Sequence, residues 1–430
     1  MNQHRIAFIA AAIVAAAPVT AQDTSFNPAI SVIIDGAYYG DSVDGRSEEL
    51  ARELDGFVRH HGDHEDDHDD DHGHAHGGLS EGFNLREVEI AASATIDPYF
   101  DGFVTLAVGD GALEIEEAFI STRALPAGLQ LKAGKFLSDI GYLNKQHPHA
   151  WLFVDRPLMS ELLFGDHGLQ ETGMQLAWVP PTPIYSRVGF ELLQGDSETL
   201  AAQIEDADAV AGTPRLFRDR KGPRLVTAFA KVAPDLGYDH AVQAGVFAGR
   251  SSSYQESIEE ATHFVDFDGE ARFWGADVVY KYDAGDTAGR GSLVVQGEYA
   301  RRTRTLDTQE IFFEADEGFL PGEASAVERF RETQDGYYLQ AVYGIAPRWT
   351  AGIRLDVVGG VNETTLDGGE SWDSSDRVTA MVAWMPTEFS RLRLQFTRGD
   401  FAVEDGERAS FNQFFVQWQM SLGAHGAHAF

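Results

Sequence analysis

Apolar and polar residues alternate with period two in short runs along most of the chain. Val88, Ile90, Ala92, Ala94 and Ile96 interleave with Glu87, Glu89, Ser93 and Thr95. Trp274, Ala276, Val278, Tyr280 and Tyr282 interleave with Gly275, Asp277 and Lys281, and Leu392, Leu394 and Phe396 with Arg391, Arg393, Gln395 and Thr397. Successive side chains of a strand point to opposite faces, so each run predicts a strand with one apolar and one polar face. About 16 such strands are expected, the first near Ile30 and the last near Phe411.

The breaks between the runs fall into two classes. Tight turns are expected at Asp97-Pro98, Leu125 to Gly128, Pro180 to Pro183, Pro234-Asp235, residues 283–288, Ala346-Pro347 and Pro386-Thr387. Longer polar stretches cover roughly 40–80, 139–169, 196–222, 252–269, 305–334, 361–375 and 400–409, with a short member near Gly109. Short connections on one side and long ones on the other predict an all-β, closed antiparallel transmembrane β-barrel, with short periplasmic turns and long extracellular loops. Closure also removes the edges that an open sheet would expose. Trp178, Trp274, Trp349, Trp384 and Trp418 fall on or near strand ends, where amphipathic rings favour a lipid–water boundary.

The N-terminus fits export. Arg5 precedes an apolar stretch from Ile6 to Val19, and Val19-Thr20-Ala21 is a small-residue cleavage site. Residues 1–21 are expected to be a signal peptide, which leaves 22–430 as the barrel. The stretch is shorter than the roughly 20 residues of a spanning helix. No later segment is a long apolar run, and mean hydropathy is -0.24. With no cysteine, an exported chain depends on packing and backbone pairing for stability. Its 33 basic and 68 acidic residues give a net charge of -35, which argues against nucleic-acid partners and against an anion-selective pore, and suits cations.

Two charges break the alternation. Glu117 falls on the apolar face if Ile115 and Phe119 face lipid, and Lys135 does the same beside Leu131 and Ala133. A bulge that turns both inward, or an ion pair between them, would resolve the misfit.

Metal chemistry enters with the long external loop at 40–80. Residues 60–76 read HHGDHEDDHDDDHGHAH, with seven histidines and seven carboxylates in 17 positions. His60, His61, His64, His68, His72, His74 and His76 offer imidazole nitrogen, and Asp63, Asp66, Asp67, Asp69, Asp70 and Asp71 offer oxygen. That donor set suits Zn²⁺ and other divalent ions. The tract lacks packing residues, so several exchanging sites of modest affinity are expected. A second candidate is the loop at 138–169, which has apolar anchors such as Leu152, Phe153 and Leu158. If it bends into the barrel as a constriction, His147, His149, Asp155 and His167 become candidates for a metal station in the pore. The polar face of the strands carries both signs, from Glu89, Glu116 and Asp356 to Lys132, Arg187, Arg354 and Arg393. Such a mixture is ordinary for a water-filled channel.

Several segments resemble a family of Gram-negative proteins known as zinc-regulated outer-membrane receptors. They are Asn27 to Ser31, Asp97 to Gly102, Glu117-Ala118-Phe119, Leu131 to Phe136, Gly141 to Asn144, His147 to Trp151 and the ending Gly423 to His428. The part from Gly134 to Asn144 is also similar to phosphate-selective porins. The first resemblance implies zinc-linked expression and zinc acquisition at the outer membrane. Such receptors are often called TonB-dependent, which implies a plug ahead of a barrel of about 22 strands; here Ile30 follows the cleavage site too closely for a plug. Phosphate-selective pores depend on lysine and arginine ladders, which sit poorly with the acidic balance of this chain.

The expectation is therefore a porin-like channel that assists uptake of divalent metal, most of all zinc, with lipid, divalent cations and the barrel-assembly machinery as partners. A homotrimer is the common assembly for porins of this size. The alternatives are a non-conducting surface barrel that binds metal, and a general or anion porin unrelated to zinc. No local signature such as GxSxG points to an enzyme.

Overall fold

A computed structural model describes residues 28–43, 47–57, 79–109, 112–204, 209–210, 212–316, 318–403 and 406–423. The expected signal peptide, the His60–His76 tract and the C-terminal His425 and His428 lie outside the described residues.

The strands form one antiparallel sheet that closes on itself. β1 (Ala29–Asp41) is followed by β2 (Gly82–Thr95), β3 (Phe100–Gly109), β4 (Ala112–Thr122), β5 (Leu129–Leu137), β6 (Gln170–Trp178), β7 (Tyr185–Leu193) and β8 (Leu225–Ala233). Then come β9 (His240–Glu259), β10 (His263–Tyr282), β11 (Leu293–Phe312), β12 (Glu328–Ala346) and β13 (Trp349–Thr364). A two-residue strand β14 (Glu370–Ser371) precedes β15 (Ser375–Thr387), β16 (Ser390–Val403) and β17 (Glu407–Gly423). β14 only pairs with the last two residues of β13, so the wall is built of the other 16 strands. Each strand pairs with its chain neighbour, and β17 pairs with β1 from Ser31↔Gly423 to Asp41↔Gln413 to close the barrel.

The period-two pattern is the cause of this closure. Leu339, Ile353, Leu394, Phe396, Met420 and Leu422 stand outward and exposed. Their neighbours Gln340, Arg354, Arg393, Gln395 and Gln419 point inward and are buried. Apolar-out, polar-in is the lipid-solvated arrangement. Trp349 and Trp384 stack at 5.9 Å beside the tight turns at Ala346-Pro347 and Pro386-Thr387, where an interfacial ring belongs.

Strand height is uneven. β5 to β8 have 9 residues each, whereas β9, β10 and β11 have 20. About 9–11 residues cross a bilayer, so β9 to β12 continue well beyond it. Here the sequence expectation needs correction. The long loops expected at 252–269 and 305–334 are largely strand: β9 and β10 meet in a tight hairpin, with Phe264 paired to Glu259, and β11 runs to Phe312. Outside the membrane a strand needs no apolar face, so the alternation that marks a strand in lipid fades there.

The misfit at Glu117 is resolved by a bulge. Thr105 of β3 faces Glu117 and Leu106 faces Ile115, which leaves Glu116 as the extra residue. Glu116 and Glu117 are both buried. Lys135 takes Glu114 as its partner at 3.6 Å rather than Glu117. β4 and β5 pair only from Ala118↔Lys135 to Ser121↔Lys132. Gly134, at φ +136°, leaves no room for a Cβ against the Ala118 carbonyl and so permits that close pairing.

Candidate functional site

The segment between β5 and β6 turns into the lumen, because its backbone polar groups and its apolar side chains both find partners there. The apolar set is Ile140, Leu158, Met159, Leu163 and Phe164, which join lumen-facing Phe247, Phe273 and Tyr338 in one buried cluster. Residues Leu158–Phe164 form a short helix packed against β11, β12 and β13.

Polar contacts fix the segment around the whole barrel. Glu191 of β7 accepts from the Asp139 N–H at 3.0 Å, and Lys231 of β8 donates to the Gly141 carbonyl at 2.7 Å. Glu298 of β11 accepts from the Leu143 N–H at 2.7 Å. Asp356 of β13 accepts from the Leu158 N–H at 3.0 Å, and Gln395 of β16 from the Val154 N–H at 2.8 Å. Arg393 donates to the Trp151 carbonyl at 2.8 Å, and Arg86 of β2 to the Val154 carbonyl at 3.0 Å. Buried backbone groups must be paired, and here the lumen-facing side chains of the wall pair them.

Two charged clusters lie along this segment. In the first, the η-turn Pro148–Ala150 presents His147 and His149 to the wall with their rings stacked at 5.9 Å. His147 Nδ1 is 3.1 Å from Glu116 and 3.7 Å from Glu89, and its Nε2 is 2.8 Å from Glu117. His149 Nδ1 is 2.8 Å from Glu89. Glu117 also accepts the Leu137 N–H at 2.9 Å. Ligand atoms of Glu89, Glu116 and His147 all lie within 4.8 Å of one another. Burial opposes charge on His147, but hydrogen bonds to Glu116 and Glu117 and the charge of Glu89 outweigh it and hold the imidazole proton well above its usual range.

The second cluster is cationic. Asp139 pairs with Arg187 at 2.8 Å and also feels Lys132, Lys231 and Lys145. Burial raises its carboxyl, but those four cations prevail and bring it to about 2. Burial and the charges of Lys231, Arg187 and Lys132 push the Lys145 ammonium down to about 8.

Of the four residues expected to form a pore metal station, the structure brings His147 and His149 together. Asp155 goes elsewhere: it bridges Arg354 at 2.6 Å and Arg377 at 3.0 Å, and that clamp holds the segment rather than an ion. His167 sits on the return limb before Leu169 and is not among the converging groups. Of the carboxylates that complete the cluster, Glu89 and Glu116 were legible only as inward charges, and Glu117 only as a misfit on the apolar face. The odd placement of Glu117 was the one signal that the wall bends there.

The first external loop meets the same lumen. Leu54 and Phe57 join the buried cluster of the inserted segment, and Asn362 donates to the Asp55 carbonyl at 2.8 Å. Leu79, at the other end of that loop, packs with Tyr39, Val154 and Phe415. Phe57 and Leu79, the described residues that flank the His60–His76 stretch of the sequence, both pack against side chains inside the barrel.

No family model matches the chain. It is 33% identical over 415 residues to an uncharacterized protein of Aquifex aeolicus, with 94% of this chain and 80% of that protein aligned. Among solved structures it is similar to OmpT, an outer-membrane protein of Vibrio cholerae. The variant of OmpT that lacks loop L8 superposes with a TM-score of 0.52 at 13% identity, over 93% of this chain and all of that one. The trimer form of OmpT gives 0.51 at 13% identity over 93% of this chain. The likeness is one of fold: a closed outer-membrane barrel.

Proposed function

The chain belongs to the same family as the Aquifex aeolicus protein, and we propose that it is a loop-constricted outer-membrane channel that assists uptake of divalent metal, zinc foremost. The observation that carries the reading is the inserted segment, which holds two imidazoles against three wall carboxylates inside the barrel. A second feature supports it. The His- and Asp-rich sequence of residues 60–76 lies in the chain between Phe57 and Leu79, which both pack inside the barrel, and its negative charge would draw cations. The tract would take several ions with modest affinity and release them as fast, which suits delivery more than storage.

A specific observation favours a second reading. Lys132, Lys145, Arg187 and Lys231 gather around one carboxylate, Asp139, at the start of the same segment. A pathway past them would prefer anions, as a general or anion porin does. A third possibility, a filled barrel that only displays the metal-binding tract, follows from how tightly the segment packs. Planar-bilayer recording separates all three: a cation-preferring current supports the metal channel, an anion-preferring current the second reading, and no current the third. A deletion strain starved of zinc should take up less labelled zinc than its parent; equal uptake would contradict the metal reading.

A further inference from the structure

The carboxylate–imidazole cluster has the parts of a defined metal site, arranged in two tiers. Two ligands at about 2.0–2.1 Å from a tetrahedral ion lie roughly 3.3 Å apart. The spacings of His147 Nδ1 to Glu116, 3.1 Å, and to Glu89, 3.7 Å, straddle that value. These are also the three groups whose donor atoms fall within 4.8 Å of one another. The next tier supports each side. If Nδ1 faces an ion, Nε2 carries the hydrogen, and Glu117 stands 2.8 Å away to accept it. Glu117 is itself held by the Leu137 N–H. His149 contacts Glu89 at 2.8 Å and fixes the orientation of that carboxylate. A carboxylate behind a ligating imidazole is the usual device for setting its tautomer and basicity.

We propose that Glu89, Glu116 and Nδ1 of His147 form a three-ligand site for a single divalent cation of the zinc class inside the barrel, with Glu117 and His149 as positioning residues. Three protein ligands leave a fourth position to water, and such sites exchange more readily than closed four-ligand sites. The wall supplies two ligands and the inserted segment the third, so the ion also ties that segment to β2 and β4. For its place in transport this inference rests on the channel reading; as a binding site it stands without it.

The test uses the full chain in detergent, with the seven histidines of residues 60–76 changed to Asn so that the external tract does not mask the lumen. Co²⁺ and Zn²⁺ are the probes, with heat-modified gel mobility as the check on folding. One ion per barrel is expected, with the intense visible absorption of low-coordinate Co²⁺. His147→Asn or Glu89→Gln should abolish it. Glu117→Gln should keep the stoichiometry and the spectrum while weakening affinity about 10- to 100-fold. No bound ion in the tract variant, or an ion unaffected by both ligand substitutions, would overturn the site. Glu117→Gln with unchanged affinity would overturn its positioning role. Conductance of the same samples is a separate measurement: binding without current removes the channel and leaves the site, and current without binding does the reverse.

Discussion

Glu116 and Glu117 are adjacent in the chain, yet both carboxylates point into the barrel and grip one imidazole from opposite sides, Glu116 at His147 Nδ1 and Glu117 at Nε2. A regular strand would send one of them into lipid. The extra residue in β4 opposite Thr105 and Leu106 makes the arrangement, and bulges of this kind re-aim side chains.

Removal of the extra residue tests that origin. Deleting Glu116 should restore a regular β3–β4 ladder and keep the barrel folded by gel mobility. The single lumenal ion should be lost, because only one carboxylate of the pair remains near His147. An intact metal stoichiometry in the deletion variant would show that the bulge does not build the site.

The clamp at Asp155 should matter for the inserted segment and not for the wall. Arg354 and Arg377 are almost fully buried and share Asp155 and Asp356. Asp155→Asn removes one of the two carboxylates and leaves guanidinium charge under-compensated, a change that costs about 3–5 kcal/mol in buried pairs. Proteolytic nicking within residues 138–169 should rise steeply while the heat-modified band persists. A nicking rate equal to wild type would show that the clamp is not what holds the segment.

Acid should release the start of the same segment. The folded carboxyl of Asp139 lies at about 2, below the value near 3.9 of an unfolded aspartate. A depressed group contributes stability that is fully present above about pH 4 and is lost as pH falls towards 2. Arg187, Lys132, Lys231 and Lys145 face it, and those cations then lose the carboxylate they share. Channel noise, or the fluorescence of buried Trp151, should change between pH 4 and 2. In Asp139→Asn the change should already be present at neutral pH. A wild-type signal flat down to pH 2 would contradict this.

Deleting Gln146 to Gly165 should raise single-channel conductance, because that stretch fills the lumen between β2 and β13. Unchanged conductance in a folded deletion variant would mean that ions pass elsewhere.

The membrane part of the fold was legible because lipid imposes a strict alternation. The starts of β3, β5, β8 and β13 fall at Phe100, Leu129, Leu225 and Trp349, where the apolar runs begin. The upper parts of β9 to β12 were not legible as strand, since segments such as Ser251 to Glu259 rise beyond the bilayer and carry no lipid code. His147 and His149 were visible as a pair in a loop with apolar anchors. Their partners were not, because Glu89 and Glu116 are more than 25 residues away and meet them only because the segment after β5 turns into the lumen. Asp155 looked like a ligand by residue type alone. What claimed it was the arginine pair of β13 and β15, a relation between strands that no local pattern records.

Passage of a divalent metal through this barrel is read from the reversal potential across a planar bilayer under a zinc chloride gradient. A potential on the zinc side of zero is expected, reduced when His147 is replaced by Asn. A potential on the chloride side, unmoved by His147→Asn, would contradict it and favour the anion pathway past Lys132 and Lys145.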